Sequence, residues 1–203
     1  MAKEKVYRFR ADLKGAKPPV WRRFEVSGEQ TLKQLAAQLM AIFEMEGKHM
    51  YSLTELVGDQ FRREYRQRQK ADPSLPELGP FDERIKNIGY DLGVDDPEDT
   101  LHWSQNLVKP GTTKLSETFA QVGSKFRFEY DFTADWEVSL KVEKVAKIEV
   151  DHEDLPRVLK GKGAGILEGL GDLEGLLDFD DDLDEDEFDL EAANVMIKEA
   201  GGF

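Results

Sequence analysis

The chain has no cysteine. Disulfides, thiolate metal centres and a cysteine nucleophile are therefore excluded, and the composition suits a reducing compartment. Histidine is almost as scarce. His49, His102 and His152 lie far apart, and no HExxH or comparable ligand spacing joins them. No run of about 18 apolar residues is present, so no membrane-spanning helix is expected. No apolar signal-type segment follows Met1-Ala2-Lys3-Glu4-Lys5, so a cytoplasmic location is expected. Positive charge is nearly missing from the last quarter. Residues 151–203 hold 17 acids against 4 bases, a net of −13, whereas residues 1–150 come to −1. That balance argues against general nucleic-acid binding, which needs a basic face to displace phosphate counterions. The sequence also lacks a serine-centred nucleophile elbow, a P-loop and a dinucleotide fingerprint.

What is present is enough for a core: 203 residues, 39% of them hydrophobic. The clearest pattern runs from Phe126 to Val142. Phe126, Phe128, Tyr130 and Phe132 alternate with Arg127, Glu129 and Asp131; after a turn, Trp136, Val138, Leu140 and Val142 alternate with Glu137, Ser139 and Lys141. Period-two alternation with aromatic and β-branched residues on one side marks a half-buried hairpin. Val6 to Leu13 alternates in the same way, and Lys14 to Pro19 is a turn leading to a return strand, Val20 to Val26. Strict alternation puts Arg22 on the inner face of that strand. Thr31 is a candidate N-cap for a helix with an apolar stripe of Leu32, Leu35, Ala36, Leu39, Ile42 and Phe43, stopped by Gly47. Met50 to Val57 is expected to be a third strand. Residues 58–114 read as a long insert, with Gln60 to Lys70 an exposed helix or loop, and Leu115 to Val122 is a short helical turn. Asp154 to Lys160 does not read as a buried strand. Gly161 to Gly175 is a flexible connection, and a final helix opens at Phe188-Asp189-Leu190-Glu191.

This order predicts an α+β fold: a β-grasp-like, mostly antiparallel sheet with one main packed helix, the long insert at about 58–114, and a C-terminal helical, acidic appendage. Residues 1–150 form the core domain and 151–203 the appendage. The opening strand is expected to be central, beside the Phe126–Phe132 strand.

Tyr7-Arg8-Phe9-Arg10, the run Lys17-Pro18-Pro19-Val20-Trp21-Arg22-Arg23-Phe24, and Thr31-Leu32 resemble the N-terminus of the plasmid pRiA4b open-reading-frame-three-like family. Phe128-Glu129-Tyr130-Asp131-Phe132 with Asp135-Trp136 resembles that family's core hairpin, and Phe188-Asp189-Leu190 with Asn194 its closing helix. The resemblance implies a soluble prokaryotic domain but no particular reaction. The chain departs from it in having Thr133-Ala134 where the family usually has Gly-Asp, Val138 or its neighbour where a histidine usually follows the tryptophan, and no cysteine in Leu155 to Gly171.

Four features could carry function. Asp131, Asp135 and Trp136 gather at one end of the hairpin, where paired carboxylates can share a proton or hold a cation; a turn uses aspartates to cap its own N–H groups, and this reading is preferred. The alternating acids Asp178, Asp180, Asp182, Asp184 and Asp186 suggest a calcium loop. Counted from Asp178, however, the glycine and glutamate positions fall on Leu183 and Asp189, so a solvated acidic linker is preferred. The glycine cluster has Lys160 and Lys162 but no Gly-Lys-Ser/Thr. The basic segment 62–70, with Tyr65 in it, can bind a nucleic acid or pair with the acidic C-terminal run of this chain or of a partner. Given the overall charge balance, pairing within the chain or simple solvation is preferred. The expectation is a non-enzymatic binding or interaction protein without a cofactor, with a protein partner or homodimer. The alternatives are an enzyme or cation-dependent site at Asp131/Asp135/Trp136 and a nucleic-acid-associated protein acting through 62–70.

Overall fold

The computed structural model describes residues 3–91, 111–149, 154–166, 168 and 188–201. Strand β1 (Lys3–Leu13) buries Tyr7, Phe9, Ala11 and Leu13, the alternating set. Its partner β2 (Trp21–Ser27) runs back antiparallel with Phe9 opposite Phe24, and those rings stack at 5.6 Å. Helix α1 (Leu32–Ile42) starts at Thr31 with a reciprocal capping box. Thr31 Oγ1 accepts from the Gln34 N–H at 3.2 Å, while the Thr31 N–H donates to Gln34 Oε1 at 2.9 Å. Its stripe of Leu32, Leu35, Ala36, Leu39 and Ile42 joins the core.

Strand β3 (Tyr51–Glu55) leads into helix α2 (Val57–Ala71), which is polar nearly all round; Gly58 is its buried residue. After β4 (Ile88–Asp91) come β5 (Lys125–Tyr130) and the long β6 (Trp136–Glu149). Strand β7 (Arg157–Lys162) and helix α3 (Leu190–Ala200) complete the described chain. The seven strands form one sheet in the order β4-β3-β5-β6-β1-β2-β7, with every neighbouring pair antiparallel. The class is α+β, as expected.

Several details differ from the sequence reading. β1 is an interior strand, fifth of the seven rather than the central one, and does not lie beside the Phe126 strand: its neighbours are β2 and β6. β6 is 14 residues long and matches the whole 11-residue span of β1, whereas β5 has only six. β5 ends at Tyr130 because Asp131 takes a positive φ of 49°. Phe132 therefore leaves the apolar face and is 54% exposed. Asp154 to Lys160 does not read as a buried strand, yet residues 157–162 form an edge strand with Val158 as its buried side chain. Gly161, read as part of a flexible connection, lies in that strand. A Cβ there would come within 2.7 Å of the Phe188 ring, so glycine permits the close approach. Residues 169–187, with the acidic run, fall outside the described residues, as do His102 and His152.

The edge strand β7 is closed by a side chain. Asn194 of α3 accepts from the Val158 N–H at 2.9 Å and donates to the Val158 carbonyl at 3.0 Å, filling the place of a strand partner. Arg22, on the neighbouring strand β2, ties the end of β7 to the end of α1. Its fully buried guanidinium donates to the Ile42 carbonyl at 2.8 Å, the Lys162 carbonyl at 2.7 Å and the Trp21 carbonyl at 3.0 Å. It also stacks over Phe188 at 4.3 Å and lies 5.3 Å from Phe43. The Ile42 carbonyl is one of the helix-end acceptors that α1 cannot satisfy itself, and a cation suits that end of the helix dipole.

Candidate functional site

The end of the β5–β6 hairpin is built first by its backbone. Asp131 and Asp135 both adopt positive φ, 49° and 55°, and the Asp135 N–H donates to the Asp131 carbonyl at 2.8 Å. Asp131 Oδ1 accepts from the Thr133 N–H at 3.1 Å and the Ala134 N–H at 3.4 Å, an Asx-type turn. Trp136 pairs across the hairpin with Tyr130 and is 3% exposed. Of the three residues singled out from the sequence, Asp131 and Asp135 shape the turn and Trp136 packs in the core.

Tertiary structure adds groups that no spacing foretold. His49, on the loop after α1, places Nδ1 3.7 Å from Asp131 Oδ2 and Nε2 3.5 Å from Glu168 Oε2. Its ring stands edge-on to Tyr130 at 5.7 Å. The Tyr130 hydroxyl donates to Glu168 Oε1 at 2.7 Å and accepts from the Lys48 N–H at 3.2 Å; the Glu46 N–H also donates to Glu168 at 2.6 Å. Burial, and then the Glu168 carboxylate, push the Tyr130 phenol up to about 12. The imidazole thus stands between two carboxylates, one at each nitrogen. Because its two nitrogens face different acids, the set does not converge on one metal ion; no three His, Asp or Glu among the described residues do. Alternation marked Tyr130 as core, which hid its hydroxyl, and Glu168 stands among glycines with no pattern around it. Tyr130→Phe is expected to lose about 1–2 kcal/mol of stability, since it removes a donor and an acceptor from a half-buried network. Urea unfolding checks this, and an unchanged midpoint contradicts the assigned bonds.

The basic segment forms a second feature, and its helix is held firmly. A Cβ at Gly58 would sit 2.2 Å from the Ile85 carbonyl oxygen, so α2 packs directly against that backbone. Arg84 lies over Phe61 at 5.1 Å and Tyr65 at 5.9 Å, and the Tyr65 hydroxyl donates to the Pro76 carbonyl at 2.9 Å. Tyr65, expected to help bind a nucleic acid, is used together with Phe61 to hold the helix. The opposite face carries an open groove of about 490 Å³ lined by Asp59, Arg62, Arg63, Arg66, Gln67 and Lys70. Arg62 pairs with Asp59 at 3.0 Å; Arg63, Arg66, Arg68 and Lys70 have no acid partner among the described residues.

Fold and surface together define an all-antiparallel α+β domain with a polar hairpin end and a basic helix. The chain belongs to the plasmid pRiA4b ORF-3-like protein family, whose model matches residues 5–202. No curated protein matches it. Among solved structures it is similar to a protein of unknown function from Methanosarcina mazei Go1. The two are 22% identical with a TM-score of 0.65, over 93% of this chain and 96% of that one. At that identity the likeness speaks for the fold alone. Among the described residues, no helix is long and apolar enough to cross a membrane.

Proposed function

We propose that this protein is a non-catalytic, cytoplasmic binding module on a β-grasp-like scaffold, and that it docks an acidic protein segment on the outer face of α2. The observation that carries this reading is the row of cations on that face. Arg62–Arg66 and Arg66–Lys70 are like-charge pairs at four-residue spacing, each costing about 0.2–0.5 kcal/mol in a helix. Among the described residues, only Arg62 of this row has an acid paired with it. A rigid helix that carries uncompensated repulsion gains most when an anion covers it. A protein segment fits better than a nucleic acid, because residues 1–150 as a whole are nearly neutral.

The test is titration of the full chain with a synthetic peptide bearing aspartate at alternate positions. Arg63→Glu, Arg66→Glu and Lys70→Glu together are expected to weaken binding at least tenfold, and binding to the parent is expected to fall steeply with salt. Equal affinity for both proteins sinks the reading. Tighter binding of duplex DNA than of peptide gives the site to nucleic acid instead.

His49 between Asp131 and Glu168 favours a second reading, an acid–base site at the hairpin end. It stands only if a hydrolase or nucleotide-conversion screen finds a turnover that His49→Ala abolishes while peptide binding is kept.

A further inference from the structure

We infer that His49 is a proton-operated latch. As imidazolium it pairs with Asp131 on one side and Glu168 on the other and fastens the 44–50 loop to the hairpin end; as neutral imidazole it lets that loop open. The latch operates whether or not α2 docks a partner.

The loop is fastened at the same place by its backbone. The Glu46 N–H donates to Glu168 Oε1 at 2.6 Å and the Lys48 N–H to the Tyr130 hydroxyl at 3.2 Å, while the Met50 carbonyl accepts from the Asp131 N–H at 3.0 Å. Glu44, at the start of the loop, sits at a φ of 59°, a strained conformation for a residue with a side chain, so release lets it relax. The junction beneath the loop is fixed in another way. Ile166 is buried, its N–H donates to the Phe43 carbonyl at 2.8 Å, and a Cβ on Gly165 would come within 2.5 Å of Glu44 Cβ. Packing and a backbone bond hold this end at any charge of the ring.

The ring's proton decides the rest. Imidazolium has an N–H on each nitrogen, so each carboxylate faces a donor and a positive charge. Neutral imidazole has one N–H, and its other nitrogen turns a lone pair toward a carboxylate at 3.5 or 3.7 Å. One of the two contacts then becomes repulsive. The other groups around the ring do not replace the lost charge. The Tyr130 hydroxyl is used by Glu168 and the Lys48 N–H, and the Lys48 ammonium pairs with Glu46 on the loop itself. Histidine is the side chain that changes charge between pH 5 and 8, a range in which carboxylates ordinarily keep theirs. The latch therefore contributes at the acid end of that range and is lost toward the alkaline end.

The experiment is amide hydrogen exchange of the full chain, followed by NMR at pH 6 and pH 8 and corrected for the intrinsic exchange rate at each pH. Protection of the Glu46 and Lys48 amides, taken relative to that of Ile166, is expected to fall about threefold to tenfold from pH 6 to pH 8, the size of two half-exposed ion pairs. Two variants remove one charge each. His49→Gln leaves a neutral polar side chain, and Glu168→Gln keeps an acceptor for Tyr130 and Glu46 without the negative charge. Both are expected to show the low ratio at both pH values. Ile166 reports the intact fold, and should one variant lose its protection, the other decides. Glu55 is unchanged in all three proteins and cancels in the comparison. A parent ratio that stays constant with pH, or a folded variant that keeps the parent's fall, overturns the inference.

Discussion

Arg22→Ala is expected to destabilise the protein by about 4 kcal/mol, the largest single effect outside the hydrophobic core. The buried carbonyl of Ile42 and the part-buried carbonyl of Lys162 each lose a bond from Arg22, at up to about 1–3 kcal/mol each. Truncating a large interior side chain leaves a cavity, worth a further 2–5 kcal/mol or so. Against this, burial pushes the guanidinium down to about 10, and no longer burying that charge returns about 3 kcal/mol. The losses exceed the relief. They fall on one joint, where the end of α1, strands β2 and β7, and Phe188 meet. Urea unfolding is the check, and a loss below 1 kcal/mol would mean that the buried charge costs as much as its bonds contribute. Arg22→Lys is expected to be no better than alanine: it keeps a buried charge but cannot reach three diverging carbonyls at once.

Glu55→Gln is expected to stabilise the protein at pH 8.5 by about 2–3 kcal/mol and to have little effect at pH 4.5. Glu55 is fully buried on β3. Its Oε2 accepts from the Tyr90 hydroxyl at 3.3 Å and from the Phe119 N–H at 3.4 Å, while Oε1 has no partner among the described residues. Burial outweighs these two bonds and pushes the carboxyl up to about 7. Between its ordinary value of 4.5 and about 7, the folded protein holds a proton that the unfolded chain has released. The stabilising contribution of the neutral carboxyl is therefore full below pH 4.5 and declines as pH rises through this window. Above pH 7 the fold carries the cost of a buried carboxylate. Glutamine keeps an acceptor for Phe119 and Tyr90 and never ionises. Denaturant midpoints of the two proteins should coincide at acid pH and separate at alkaline pH. Parallel curves at all pH values would show that Glu55 ionises freely in the fold.

The sequence showed most clearly those elements whose faces differ most. β1, β2, α1 and the β5–β6 hairpin were legible because burial on one side forces a period of 2 or 3.6. β4 and β7 were not, since short strands with few buried side chains have little to alternate. Phe132 was misplaced because alternation runs on past Tyr130, whereas the chain turns at Asp131 into a conformation that aspartate tolerates. The neighbours of β1 could not be read from element order, since pairing depends on strand length and register. The hairpin end was found by its aspartates, but His49 and Glu168 reach it from loops distant in sequence, and only tertiary packing brings them to Tyr130. On α2 the charges were plain, but the use of Phe61 and Tyr65 as an anchor under Arg84 was not.

The proposed docking face is α2 and not the hairpin end. The most direct measurement is backbone amide NMR of the full chain as the alternating aspartate peptide is added. Chemical-shift changes are expected along residues 59–70, with His49, Asp131 and Glu168 unmoved. Changes concentrated at His49, Tyr130 and Asp131, with α2 silent, would contradict it.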